Sequence, residues 1–145
     1  MSRSKRMRSV AELAEAEEQT ASRRLGESLE FLKAQEAKLE ELEGYRKSYT
    51  QNLSDAGGRG TDAIRLGDYR AFLDRLGAAI TQQTDLVKQA QDDCETKRQM
   101  WFAARRRLQA LSEVVKRYAS EENLKAERRE QAEADDVHAS RQRRK

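Results

Sequence analysis

Residues 66–118, set in blocks of seven, read LGDYRAF LDRLGAA ITQQTDL VKQAQDD CETKRQM WFAARRR LQALSEV VKRY. The first residue of every block is apolar: Leu66, Leu73, Ile80, Val87, Cys94, Trp101, Leu108 and Val115. Three positions further on stand Tyr69, Leu76, Gln83, Ala90, Lys97, Ala104, Leu111 and Tyr118, six of which can pack. A pair of packing positions repeating every seven residues is the a/d seam of a left-handed coiled coil. As one helix this run spans about 80 Å at 1.5 Å per residue.

The composition agrees with that reading. The chain has 145 residues, no proline and one cysteine, with 38 % charged and 37 % hydrophobic residues. Average usage would give about seven prolines. Their absence favours uninterrupted helix, because proline removes a hydrogen bond and clashes inside one. Too few apolar residues are present to line the core of a compact globule, in which about 68–70 % of the unfolded surface is buried. An enclosed active site is therefore not expected. No apolar run approaches the 18 or so residues of a membrane span. The basic start, Met1 to Arg8, is followed by no apolar segment of a signal peptide. A lone cysteine offers no disulfide framework and suits a reducing compartment.

Working outward, the glycines mark a reversal. Ser54–Asp62 contains Gly57, Gly58 and Gly60, three of the seven glycines, and glycine supplies the positive φ that a tight turn needs. Thr61 or Asp62 can cap the helix that follows. The expected fold is all-α, a long antiparallel two-helix coiled-coil hairpin forming a single domain over 1–145. Its first helix covers about 5–54, the loop 55–62 and the second helix 63–133. A charged tail over 119–145 frays at its end.

The first helix carries a weaker stripe. Its a positions are Ala11, Glu18, Leu25, Leu32, Leu39, Arg46 and Leu53, and its d positions Ala14, Ala21, Ser28, Gln35, Leu42 and Tyr49. Folding at the glycines sets Ala14 or Ala21 opposite Trp101, and the pattern leaves the register open. It also leaves open whether the hairpin or a parallel dimer of longer helices forms. A start near Lys5 pairs with residues 110–117, and the seam ends after Tyr118. Gln35 and Gln83, polar residues at d, serve to specify register. The seam residues are Leu25, Leu32, Leu39, Leu66, Leu73, Ile80, Val87, Cys94, Trp101, Leu108, Leu111 and Val115. Cys94 belongs there as a small hydrophobe.

Chemistry-bearing constellations are few. His138, the only histidine, lies in the polar tail and Cys94 in the seam, so no Cys/His pair forms. Gly57-Gly58-x-Gly60 lacks the strand and the Gly-Lys-Ser/Thr of a phosphate loop. No enzyme activity, cofactor or metal is expected. Two surface features remain. Tyr45, Phe72 and Ala79 occupy g positions near the loop, continued by Leu42, Tyr49 and Leu76 at d. These rings either cover the edge of the seam or form a docking patch, aromatic anchors being common at interface hot spots. The second feature is basic: Arg6 and Arg8 at one terminus, and Arg105, Arg106 and Arg107, brought to the same end by the hairpin. Residues 10–50 hold ten acids against six bases, so the net charge of +3 has a polarity. A basic cluster fits a solvated face, an acidic cavity, nucleic acid or anionic lipid. Nucleic acid fits poorly, because no aromatics are interleaved for stacking.

The run Tyr69-Arg70-Ala71-Phe72-Leu73-Asp74-Arg75-Leu76-Gly77-Ala78-Ala79-Ile80-Thr81-Gln82-Gln83 resembles the central motif of the flagellar export protein FliJ family. Leu42-x2-Tyr45-x3-Tyr49 before the loop, Arg98-x2-Trp101 with its basic run, and the charged tail resemble that family as well. The likeness implies a cytoplasmic, non-enzymatic component of the flagellar type III export apparatus, held at the inner face of the cell membrane. It implies a coiled-coil stalk that enters the hexameric ring of the export ATPase FliI, contacts the export-gate protein FlhA and escorts substrate chaperones. The gate-binding positions it implies are Leu42, Tyr45, Tyr49, Phe72, Leu76, Ala79 and Gln83. For the ATPase ring, charge location alone selects Arg6, Arg8, Arg105, Arg106 and Arg107. The alternatives are an adaptor or chaperone of a related virulence secretion system, which would share the seam, and a nucleic-acid-binding coiled coil.

Overall fold

The computed structural model of the chain describes residues 2–58, 60 and 62–144. It is an all-α helical hairpin of two long helices, α1 (Arg3–Gly58) and α2 (Ala63–Arg143). Among the described residues there is no strand.

Each helix starts on a side-chain cap. Ser2 Oγ accepts the Lys5 N–H at 3.3 Å, and the Ser2 carbonyl accepts Arg6 N–H at 3.1 Å. Asp62 Oδ1 accepts the Arg65 N–H at 2.9 Å and caps α2. Each cap satisfies an amide that the first helical turn leaves without a partner. Thr61, the other candidate cap, lies outside the described residues. The turn is shorter than the sequence pattern implies, because α1 continues through Gly57 and Gly58. A glycine costs a helix about 1 kcal/mol in an interior turn, but here both stand in the last turn. The reversal falls on Gly60, whose φ is +76° and whose N–H reaches the Gly57 carbonyl at 3.4 Å.

The tail also differs from expectation. α2 is helical through Arg143, beyond the expected end near 133. The segment is rich in Ala, Glu, Lys, Arg and Gln, all good helix formers. Side chains four apart pair on its surface, Gln131 with Asp135 and Gln142 with His138. Arg141 and Arg143 stand in the last turn, where cations offset the helix dipole. From Asn123 to Arg144 every residue is exposed.

The chain divides into two units, Ser22–Met100 and Met1–Ala21 with Trp101–Lys145. Within Ser22–Met100 the two helices run antiparallel, and α2 buries Leu76, Ile80, Gln83, Val87, Ala90 and Cys94 against α1. Their spacing alternates four and three, the a/d rhythm read from the sequence. Across from them Leu25, Leu32, Leu39 and Leu42 are half-buried, as are Leu66 and Leu73 of α2. Burial is partial because a two-helix seam covers only one side of each residue. Two polar pairs cross it. Gln83 Nε2 donates to Gln35 Oε1 at 2.8 Å and to the Gln35 carbonyl at 3.0 Å, and Ser28 Oγ donates to Asp93 at 2.9 Å. These bonds form in only one register.

Within the other unit α1 and α2 are again antiparallel. Trp101 Nε1 donates to Glu18 at 2.9 Å. The register left open between Ala14 and Ala21 therefore sets the indole against the residue between them in the heptad count. Pairing also runs further than the apolar seam. Glu122 accepts the Ser4 N–H at 3.1 Å and the Ser4 hydroxyl at 2.6 Å. The expected end at Tyr118 is corrected by this contact: a carboxylate continues the pairing where no apolar residue is left, because it can satisfy an amide at the start of α1. Trp101, Leu108, Leu111 and Val115 are half-buried in this unit.

Candidate partner-binding surfaces

The aromatic residues before and after the turn gather within Ser22–Met100. Tyr49 and Phe72 pack with ring centroids 4.6 Å apart and planes tilted by 46°. Tyr49, Arg65, Asp68, Tyr69 and Phe72 line an open cleft there. Tyr45 is 48 % exposed. Its hydroxyl donates to Glu41 at 2.7 Å, and that bond to a carboxylate lifts its pKa above the ordinary phenol value. The ring is thus tethered one turn back on its own helix and held in the open. An aromatic already fixed loses little freedom when a partner covers it.

The other residues of the sequence-derived patch divide. Ala79 and Leu42 are half-buried at its border. Leu76, at 8 % exposure, and Gln83, at 4 %, are seam residues rather than surface ones. Both occupy d positions, which point into the partner helix, whereas g positions stand beside it. The amide of Gln83 is moreover consumed by Gln35. Two residues that sequence reasoning missed share the g edge: Phe31, 56 % exposed, and Leu86, 39 % exposed. Their heptad position, the same as that of Tyr45 and Phe72, was the available signal.

The basic residues all belong to the other unit and all are exposed. They are not equivalent. Arg107 pairs with Glu17 at 3.8 Å, and the Arg105 guanidinium lies over the Trp101 ring, 5.3 Å from its centroid. Arg106 has no ion pair among the described residues, which leaves its charge to solvent or a partner.

Cys94 is buried, and that burial pushes its thiol pKa up, away from the reactive thiolate. Among the described residues no group of three side chains could hold a metal ion. No helix among them is long and apolar enough to cross a membrane.

The family described as Flagellar FliJ protein matches residues 3–145. The chain belongs to the FliJ family. The Flagellar FliJ protein of Escherichia coli (strain K12) is 28 % identical over 127 residues, covering 88 % of this chain and 86 % of that protein. The Flagellar FliJ protein of Salmonella typhi is 28 % identical over 130 residues, 90 % of this chain and 88 % of its own length. No solved structure matches the chain. FliJ membership places the hairpin in the flagellar export apparatus, in flagellum biogenesis and protein export.

Proposed function

We propose that this hairpin is the stalk of the export ATPase ring, formed by FliI, and that it promotes ring assembly and activity. In the same reading the edge bearing Tyr45, Tyr49 and Phe72 contacts the export-gate protein FlhA, and the protein escorts substrate chaperones. It works without catalysing a reaction, at the cytoplasmic face of the membrane. The observation that carries this reading is the exposed aromatic edge beside the turn. Tyr45 is tethered to Glu41, and Tyr49 and Phe72 pack on each other, so the edge is already ordered, as an anchor for a partner requires. The exposed arginines, of which Arg106 is uncommitted, supply the surface for the ring.

The experiment separates the two surfaces. Tyr45→Ala with Phe72→Ala takes a ring away from Tyr49 but removes no buried residue of the seam, so helicity should hold while binding to FlhA is lost. Undiminished binding by the double variant removes the edge from the gate contact. Arg106→Glu should weaken stimulation of the FliI ATPase without touching gate binding. It is a cleaner probe than reversal at Arg107, which would set a new carboxylate beside Glu17 and disturb the pairing of the helices. Unchanged stimulation by the Arg106 variant excludes that residue from the ring contact.

A further inference from the structure

The unit formed by the two terminal segments is built from unequal halves. α2 offers Trp101, Ala104, Leu108, Leu111, Val115 and Tyr118 along its a and d positions. Facing them, α1 supplies Ser4, Met7, Ala11, Ala14, Glu18 and Ala21 at the matching positions. Only Met7 is a large apolar residue. The result is visible in burial: all six α2 residues are only half-buried, and every buried residue of α2 belongs to the other unit. On α1 the buried residues of this unit are Ser4 and Ala14, both small, so the strap removes little apolar area of its own from water.

The larger apolar residues of this segment do not compensate. Val10 is 38 % and Leu13 59 % exposed. What fixes the segment is mostly polar. Ser4 bonds Glu122, Arg3 lies over the Tyr118 ring at 5.8 Å, Glu18 accepts from Trp101, and Glu17 pairs with Arg107. The Arg107–Glu17 pair is exposed and weak, which leaves a few part-buried hydrogen bonds to carboxylates as the main hold on the segment.

We propose that residues 3–21 are a displaceable strap, and that the α2 stripe from Trp101 to Tyr118 is a docking surface for an acidic amphipathic helix of a partner protein. The sign of the partner's charge follows from the surroundings of the stripe. Arg105, Arg106, Arg107, Lys116 and Arg117 stand exposed beside it. The strap answers them only in part: Glu12, Glu15, Glu17 and Glu18 oppose them, but Arg3, Lys5, Arg6 and Arg8 stand at its start, so that a wholly acidic helix would match the surface better than the strap does. A helix with the same acids but leucines in place of the strap's alanines would bury more of the same surface in the same orientation. The closed strap lowers the partner's apparent affinity by the fraction of time it is closed. The clasp between Ser4 and Glu122 therefore sets how readily the surface is given up.

The test uses the full-length chain and a fluorescent synthetic peptide copying residues 6–21 with Ala11→Leu and Ala14→Leu. The peptide lacks Ser4, so changes at Glu122 act on the strap and not on the probe. Expected results are saturable binding to the unaltered chain, and binding at least about threefold to tenfold tighter to Glu122→Ala, which loses the two part-buried hydrogen bonds to Ser4. Hydrogen exchange on the complex should show amides of residues 3–21 opening while 101–118 stay protected. Val115→Asp, which puts a charge in the middle of the stripe, should abolish binding. The proposal is overturned if neither form binds the peptide, if Glu122→Ala binds it no more tightly, or if the complex forms with the strap amides as protected as before.

Discussion

At the scale of single residues, the polar groups of the seam decide more than their number implies. A seam of alternating Leu, Ile, Val and Ala is permissive, since sliding one helix by a heptad restores similar apolar contacts. Gln83 against Gln35 is not permissive: its amide makes two hydrogen bonds at 2.8 and 3.0 Å that any slipped register would leave unmade. An unsatisfied buried amide costs about 1–3 kcal/mol. Gln83→Ala should accordingly lower stability by about 1–2 kcal/mol. Gln35→Leu with Gln83→Leu should instead raise the melting temperature while broadening the distance distribution between spin labels on the two helices. A single narrow distribution in that double variant would mean that the remaining contacts hold the register unaided.

At the scale of elements, glycines separate what the helices tolerate from what the turn requires. Gly44 is helical and exposed, and a methyl group there would meet nothing within 4 Å. Gly44→Ala should therefore stabilise the fold by about 0.5–1 kcal/mol through lower entropy of the unfolded chain. Gly60 also has open space, but its φ of +76° is one that side chains with Cβ rarely adopt. Gly60→Ala should destabilise by about 1 kcal/mol. Thermal melts of the two variants, moving in opposite directions, check both statements. The helices and their seam were legible because periodicity is local: from Leu66 onward every a and d position through Tyr118 is buried or half-buried. The register was not legible, because it depends on how many residues the turn absorbs. Gly57 and Gly58 carry a loop signal in the sequence and are helix. The bonds of Ser4 and Ser28 across the helix pair depend on that register, so no local pattern announces them. The candidate site shows the same division. Tyr45 and Phe72 could be placed at the edge from heptad position alone, whereas heptad position does not separate Tyr49, exposed at d near the turn, from Leu76 and Gln83, buried at d.

At the scale of the whole molecule, two carboxylates bind the helices together, one in each unit. Asp93 accepts the Ser28 hydroxyl and pairs with Lys97, and these hold its pKa below the ordinary value. Glu122 is held below its ordinary value by the Ser4 hydroxyl and the Ser4 and Arg3 amides. Both groups bind a proton more weakly folded than unfolded. Their contribution to stability is therefore complete above the unfolded pKa and lost as pH falls through the folded one. Stability should be flat from pH 7 to about 5 and decline below about 4. The two units should not respond alike. Ser28 and Asp93 lie beside the buried run from Leu76 to Cys94, where apolar burial remains once the carboxylate is protonated. Ser4 and Glu122 have no buried α2 neighbour to share the load. Hydrogen exchange near pH 3 should therefore show the amides of residues 3–21 losing protection before those of 76–94. Glu122→Gln should reproduce that early loss at pH 7, and Asp93→Asn should produce a smaller one in its own unit. Equal loss of protection in both units on acidification would mean that Glu122 contributes no more to holding its segment than Asp93 does.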